Sequence, residues 1–270
     1  MKTAVFLLLF SAQVVAQHHT RLEPATIEVH YHHTMQRDTV RRLATETDSM
    51  ILRIGASASQ FFSRHTFYYD SLWNDPDGRA TAEALTLEAF RTRDHSKEPR
   101  VRTTYDYLYK NYPAGRVTTT NEQFHVACRY DEATPSISWG MADSVRTILG
   151  HPCRMATADF RGRRWTAWFA TDIPVSDGPW KLGGLPGLIL EAYDKGHQYT
   201  FTAVGLERVA EEPIVFTRRG GKNGYRTVDR RAFLKAKMFD LTHGGTLGAS
   251  GLKSTDYEPV YMDSIERDYR

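Results

Sequence analysis

Apolar and polar residues alternate along most of this chain. Ile27, Val29 and Tyr31, for example, are separated by single polar residues. A period of two places the apolar side chains on one face of a β-strand. The pattern predicts one strand at residues 25–33 and one at 50–63, further strand pattern at residues 116–129, 136–139, 164–171 and 214–216, and strand pairs at residues 145–160 and 191–204.

Short turn sequences separate the extended segments. Residues 150–152, 161–163 and 194–196 each contain glycine and lie between two stretches of strand pattern. Strands joined by such short turns pair in antiparallel fashion. The predicted fold is therefore α+β or mainly β, with a curved antiparallel sheet of sequential hairpins and a few helices.

Helical periodicity is confined to a few segments. Leu85, Leu87 and Phe90 predict an amphipathic helix at residues 79–92, and a further helical turn is predicted at residues 103–110. Both belong to a predicted helical insertion near residues 64–115. A last helix is predicted at residues 228–241, where Thr227 is a suitable N-cap.

The first sixteen residues have the composition of a secretory signal peptide. Lys2 supplies the positive charge, residues 4–10 form the apolar core, and Ala16 precedes a plausible cleavage point. This apolar core is too short to anchor the chain in a membrane. We therefore expect residues 1–16 to direct export to the periplasm, the outer membrane or the exterior. Residues 17–270 are predicted to form a single domain without a transmembrane segment.

Positive and negative charges are almost balanced. The sequence contains 35 Lys and Arg against 32 Asp and Glu, and its formal charge is +3. Lys2 is the only charged residue of the signal peptide, so cleavage lowers that charge by one. So small a charge does not form a track for nucleic-acid phosphates. Nucleic acid is therefore excluded from the predicted partners.

The chain contains two cysteines, Cys128 and Cys153. In an oxidising compartment they are a candidate disulfide, which would close a loop of about 26 residues and stabilise the fold by roughly 3 kcal/mol. Two separate buried thiols are the alternative, because the sequence does not show whether the two Cα atoms are close enough.

Histidines cluster near the first predicted strand. His30 and His32 are two residues apart and so project from the same face of that strand. Imidazole nitrogen is a good ligand for transition metals. The pair is a candidate metal site, and the alternative is the solvent-facing polar side of an edge strand.

Residues 180–190 are dense in glycine and end in an aliphatic run. Glycine permits positive φ and lets another segment approach closely. No side chain within residues 182–190 transfers a proton or ligates a metal. We predict a tight turn that leads into a buried strand. The residues with a structural role in that turn are Gly183, Gly184, Pro186 and Gly187.

The hexapeptide at residues 184–189 reads Gly-Leu-Pro-Gly-Leu-Ile and resembles the GLPGLI family of exported bacterial proteins. The likeness extends in order over residues 151–156, 162–169, 172–174, 177–180 and 199–201, and the strands ending at residues 59–63 are also similar. The resemblance implies a cell-envelope protein of the Bacteroidetes lineage in a family without an assigned activity. It brings no catalytic residues.

The predicted strand order is also similar to the half-barrels of periplasmic lipoprotein carriers, where an antiparallel sheet curls around a helix and holds an acyl chain. A likeness of fold carries little weight for function. Trp165, Trp168 and Trp180 are candidates to line an apolar ligand groove, and core packing is the alternative role.

No catalytic signature occurs in the sequence. It contains no H-E-x-x-H, C-x-x-C, Walker loop, G-x-G-x-x-G or nucleophile elbow, so we predict no catalytic residue and no cofactor. The leading hypothesis is a non-enzymatic envelope protein that binds a hydrophobic or peptidic ligand or a partner protein. The alternatives are a metal-binding envelope protein that uses the histidine-rich strand, and a hydrolase with an unrecognised site.

Overall fold

A computed structural model describes residues 19–38, 45–73, 75–95, 98, 104–121, 127–210, 212–217, 224–242 and 263–270. The predicted signal peptide, residues 1–16, lies outside them. The first seven strands described are β1 (His19–Pro24), β2 (Ile27–Met35), β3 (Glu46–Ile54), β4 (Ser59–Ser63), β5 (Tyr107–Lys110), β6 (Arg116–Asn121) and β7 (Cys128–Ala133). The next seven are β8 (Gly140–Ile148), β9 (His151–Phe160), β10 (Arg163–Ala170), β11 (Leu188–Asp194), β12 (Tyr199–Arg208), β13 (Pro213–Thr217) and β14 (Arg226–Thr227).

Twelve of these strands form one sheet, in the order β14-β7-β6-β5-β4-β3-β2-β12-β11-β10-β9-β8. Strands β2 to β7 and strands β8 to β12 are two series of sequential antiparallel neighbours, and the pairing of β12 with β2 joins them. Only the short β14 pairs in parallel, with β7. Strands β1 and β13 form a separate antiparallel pair. The predicted mainly β fold of sequential hairpins is confirmed, and the large sheet is not closed into a barrel.

The main core lies on one face of this sheet. Val29 and Tyr31 of β2 are buried there, as the period-two pattern predicts. The Tyr31 ring packs edge-on against Phe61, with centroids 6.3 Å apart, and its hydroxyl donates to the Ile189 carbonyl at 2.6 Å. Strand β11 is therefore tied to β2 through a buried hydrogen bond as well as through packing.

Three helices accompany the described strands: α1 (Arg64–Trp73), α2 (Pro76–Thr92) and α3 (Arg230–Thr242). Asp75 caps α2 by accepting a hydrogen bond from the Gly78 amide at 2.7 Å, and Pro76 stands in the first turn, where a missing amide proton costs nothing. Both α2 and α3 confirm helices predicted from the sequence. No helix among the described residues has the length and apolar character needed to cross a membrane.

Three local predictions were wrong. The predicted helical turn at residues 103–110 is strand β5, which pairs with β4 and β6. Residues 50–63 form two strands rather than one, because the chain turns at residues 55–58, where the Gly55 amide donates to the Ala58 carbonyl at 2.9 Å. Residues 136–139 are irregular, and the strand begins at Gly140 instead.

Candidate functional site

A cavity of about 90 Å³ lies between the sheet and α3. Its walls are mainly apolar, and this volume is several times the 10–15 Å³ that one water molecule needs, on the order-of-magnitude criterion for hydrated cavities. The apolar side chains from the sheet and the loops are Met35, Met50, Phe61, Leu108, Trp180 and Phe201, and those from α3 are Phe233, Leu234, Met238 and Leu241.

The basic side chains in the cavity wall have acidic partners. Lys237 of α3 lies 3.0 Å from Asp106, which also accepts a hydrogen bond from Asn121. On the other side of the cavity, Lys181 lies 2.6 Å from Glu266. The charges in the wall are thus largely compensated by one another.

Lys181 is the most buried of these cations, with a side chain that is 1 % exposed. Burial alone would lower the pKa of Lys181, but its attraction to the Tyr130 oxygen and to the carboxylates of Glu266 and Glu132 outweighs burial and raises that pKa. The ammonium form is therefore the stable one. Its partner Glu132 also contacts Arg161, so the charge is shared beyond the pair.

Further ion pairs connect Glu132 and Glu266 to two arginines and a third carboxylate. Arg161 and Arg230 both contact Asp268, each with a nitrogen 2.8 Å from a carboxylate oxygen, and Arg230 also contacts Glu266. Lys181, Arg161 and Arg230 thus face three carboxylates from β7 and from residues 263–270. We call these six residues the buried ionic network: Glu132, Arg161, Lys181, Arg230, Glu266 and Asp268.

Residues 263–270, which we call the strap, cover one side of the cavity. Arg163 of β10 is fully buried and donates to the carbonyls of Ser264 and Ile265 and to the Asp194 carboxylate, the last at 2.7 Å. The Tyr199 hydroxyl donates to the Asp263 carbonyl at 2.7 Å. Since Asp263, Ser264, Ile265 and Glu266 all line the cavity, the sheet holds the strap in place as a wall.

His33 is a buried imidazole in the cavity wall. Its ring stacks on Phe201 with centroids 4.0 Å apart, and Nδ1 lies 2.9 Å from the Thr200 carbonyl. Burial is the main cause that lowers the pKa of His33 to about 3, and repulsion from Arg37 and His32 adds to it. His33 is therefore neutral and behaves as part of the apolar wall near neutral pH.

The glycine-rich stretch separates this cavity from a second one. The second cavity has a volume of about 420 Å³ and lies between residues 54–59, 110–111, 134–135 and 175–184, with Lys181 and Leu182 in its wall. Lys110 of β5 donates to Asp177 and to the Gly178 carbonyl just before the stretch, both at 2.5 Å, and to the Leu182 carbonyl within it at 3.1 Å. Lys181 lines both cavities, so residues 180–184 form the partition between them.

The glycines that are predicted to have a structural role have different surroundings. Gly184 has φ of +85°, and a Cβ on Gly187 would lie 2.0 Å from the Ala170 carbonyl oxygen. Gly183 accepts a hydrogen bond from the Trp139 indole at 2.9 Å, while Pro186 is exposed at the turn. The turn leads into the buried strand β11, as predicted.

The three tryptophans predicted for a ligand groove occupy different places. Trp180 lines the first cavity. Trp165 is fully buried behind it, with ring centroids 5.6 Å apart, and donates its indole N–H to the Phe160 carbonyl. Trp168 carries the Arg146 guanidinium over its ring at 4.1 Å. Among the three, only Trp180 lines this cavity.

Neither the histidine pair nor the cysteine pair forms the site expected from the sequence. His30 contacts Glu28 and Glu207, whereas His32 is exposed and takes no part in that group. Cys128 and Cys153 are free thiols. The predicted disulfide is wrong: Cys128 begins β7 and Cys153 lies in β9, and these strands are not hydrogen-bonded neighbours, so strand pairing does not bring the two thiols together.

The charged residues that define the site were not predicted from the sequence. Lys181, Glu266 and Asp268 carry no motif, and the two partners in the Lys181–Glu266 contact are 85 positions apart. A lysine inside a buried glycine-rich turn was the available signal, since a buried lysine requires a charged partner.

One family model matches part of the chain. It is described as "Protein of unknown function (Porph_ging)", a Bacteroidetes-type family, and the match covers residues 160–191. That segment runs from the end of β9 through the glycine-rich stretch into β11. No curated protein matches the chain.

The chain is also similar to two solved structures of PNGF-II. One, in space group P21, has 12% identity and a TM-score of 0.49, and the match covers 78% of this chain and 32% of that chain. The other, in space group C2, has 11% identity and a TM-score of 0.47, with coverage of 79% and 32%. The chain thus spans about a third of the length of these structures.

Proposed function

We propose that this protein is an exported cell-envelope protein that binds an uncharged hydrophobic ligand in the cavity between the sheet and α3. The observation that carries the proposal is the cavity itself, a space whose exposed wall is mainly apolar and whose charged side chains have partners. Enclosed apolar pockets with few convergent polar groups are typical of ligand sites.

The charges in the wall favour an uncharged ligand. Lys237 is paired with Asp106, Lys181 with Glu266, and Arg37 with Glu46. A carboxylate head group entering the cavity would have to compete with these intramolecular partners, and it would lose its hydration as well. An apolar chain or ring meets no such cost.

Membership of the GLPGLI family and export belong to the same proposal. The hexapeptide at residues 184–189 falls inside the segment that matches the Bacteroidetes-type family model. Residues 1–16 supply the signal peptide, and residues 17–270 act as one domain located in the periplasm or at the outer membrane. A partner protein at the envelope is the further expectation of this assignment.

Binding is tested with N-phenyl-1-naphthylamine, an uncharged apolar fluorophore that brightens on leaving water. We expect saturable binding to the full chain, and at least a tenfold loss of affinity in Leu234→Trp, which fills the cavity. Phe239→Trp is the matched control on the same helix, since Phe239 is 57% exposed, and it should bind like the natural protein. Equal binding by both variants, or no saturation, overturns the proposal.

Export is tested separately in a host with a general secretory pathway. We expect the protein in the periplasmic or extracellular fraction with a mass reduced by residues 1–16, and native mass spectrometry after gentle purification should retain an apolar adduct. A cytoplasmic protein of full mass would contradict export without touching the cavity, so the two parts of the proposal fail independently.

A further inference from the structure

Two glutamates oppose each other on neighbouring strands. Glu28 of β2 and Glu207 of β12 are direct cross-strand partners. Like charges in this position destabilise a sheet unless a cation lies between them. On its other side, Glu28 pairs with Arg53, whose Nε donates to Oε2 at 2.7 Å. Arg53 therefore orients Glu28 through Oε2. This hydrogen bond does not use the second carboxylate oxygen, Oε1.

His30 brings a nitrogen to both carboxylates. Its Nε2 lies 3.1 Å from Glu28 Oε1 and 3.2 Å from Glu207 Oε1. The residue opposite His30 is Gly205, which presents no side chain to the imidazole. The register shifts between Ala203 and Gly205, next to these residues. Bulges of this kind often redirect side chains at functional sites.

The spacing of His30 Nε2 from the two carboxylate oxygens matches that of ligand atoms around a tetrahedral metal ion. Zn²⁺ binds nitrogen and carboxylate oxygen at about 2.0–2.2 Å, so two ligand atoms of a tetrahedron are about 3.3 Å apart. The two distances from His30 Nε2 are close to this value, and all three ligand atoms lie within 4.8 Å of one another.

We propose that Glu28, His30 and Glu207 bind a divalent transition metal ion such as Zn²⁺, with the fourth position open to water. One imidazole and two carboxylates suit Zn²⁺, whereas Mg²⁺ and Ca²⁺ prefer ligand sets built from oxygen. The ion takes the place of the proton on Nε2 and compensates the two facing carboxylates. Arg53 acts as the outer partner that fixes Glu28.

The site differs from the one expected from the sequence. His32 lies on the same strand but is exposed and outside the group, and the two glutamates take its place as ligands. None of the three ligands lines the apolar cavity. The metal proposal therefore stands or falls independently of hydrophobic-ligand binding.

Isothermal titration of the full chain, without a polyhistidine tag, with ZnCl₂ and with MgCl₂ tests the site. We expect one equivalent of Zn²⁺ to bind and Mg²⁺ to give no heat of binding. His30→Ala and Glu207→Gln should each weaken Zn²⁺ binding at least tenfold, and the matched control His32→Ala should change it less than twofold. Glu207→Gln is the safer variant for folding, because the Glu207 side chain is 59% exposed.

Three outcomes would overturn the proposal. The first is the absence of Zn²⁺ binding, which would leave His30 as a hydrogen-bond bridge between the carboxylates. The second is Zn²⁺ binding that persists in both His30→Ala and Glu207→Gln. The third is loss of binding in His32→Ala, which would assign the metal to the histidine-rich strand instead.

Discussion

Lys181 and Glu266 form an ion pair in the protein interior, with Nζ 2.6 Å from Oε1 and side chains that are 1 % and 2 % exposed. Charges withdrawn this far from water are tolerated only when their partners neutralise them. Through Glu132, Arg230 and Asp268 the pair extends into the buried ionic network. The glycine-rich stretch and the strap are therefore coupled by charge as well as by packing.

Replacing Lys181 by Met should destabilise the protein by about 3–5 kcal/mol, because Glu132 and Glu266 would lose a buried partner. Urea unfolding followed by far-ultraviolet circular dichroism measures the effect. The control is Arg164→Ala, which removes an ion pair with Asp159 in which the side chains are 54% and 74% exposed. The control should change stability by less than about 1 kcal/mol. Equal losses would show that burial of the network does not matter.

Asp268 should contribute to unfolding in acid. Burial would raise the pKa of Asp268, but hydrogen bonds from Arg230 and Arg161 outweigh burial and lower it from 3.8 to about 2. A depressed carboxyl pKa gives stability that is complete above the unfolded pKa and is lost as the pH falls towards the folded one. We expect Asp268→Asn to flatten the fall in stability between about pH 4 and pH 2.

Urea midpoints measured across that range give the slope for each protein. Asp159→Asn is the control, because Asp159 also pairs with an arginine but its side chain is 74% exposed. The control should keep the slope of the natural protein. A natural protein with no slope in this window would contradict the role of Asp268.

His33 should give a second pH dependence at milder acidity. Its pKa is about 3 in the folded protein against an ordinary value of 6.5, mainly because of burial. The unfolded chain therefore binds a proton that the folded one does not, and stability falls by about 1.4 kcal/mol per pH unit as the pH drops below about 6. His33→Phe should remove that slope, and His32→Ala, which alters an exposed side chain, should keep it. Thermal melts at a series of pH values test both.

Alanine substitutions at three neighbouring glycines should destabilise the protein to different extents. Gly187→Ala should cost the most, about 3 kcal/mol or more, because the new Cβ would overlap the Ala170 carbonyl oxygen. Gly184→Ala should cost about 1–2 kcal/mol through its positive φ. Gly183→Ala is the control, since its Cβ would make only an ordinary contact at 3.5 Å. Equal melting temperatures for all three would contradict the structural role of the turn.

Both cysteines should react as thiols. Under denaturing conditions without reductant, iodoacetamide should add two groups to every chain, because Cys128 and Cys153 are free. In the native protein Cys153 should react slowly, as it is 1% exposed. Intact-mass spectrometry counts the adducts, and an unmodified chain two mass units lighter than the reduced protein would restore the disulfide.

The sheet was largely predictable because its signal is local. The period-two pattern around Val29 and Tyr31 and the turn at residues 194–196 depend on neighbours in sequence, and they correspond to β2 and to the β11–β12 hairpin. Strand β5 was missed because Tyr107 and Leu108 are both buried, so no alternation distinguishes it from a helical turn.

The site was predictable only in part. Trp180 was identified because aromatic residues beside a glycine-rich stretch are good candidates for a pocket wall. The glutamate partners of His30 required the pairing of β2 with β12, which brings residues 28 and 207 together. The disulfide prediction failed because a sequence separation of 25 residues does not show which strands hold the two cysteines or whether those strands are neighbours.

The position of the strap in the sequence also determines when the fold is completed during synthesis. Arg163 donates to a carbonyl 101 positions later, and the Arg163 side chain is fully buried only with the strap in place. While a ribosome is still translating residues 243–262, β10 is already made, but Arg163 at its start has no acceptor from the strap. A nascent chain in this state exposes an arginine and an open cavity wall. The cavity therefore has its complete wall only after residues 263–270 have left the ribosome, so the fold is finished late in synthesis.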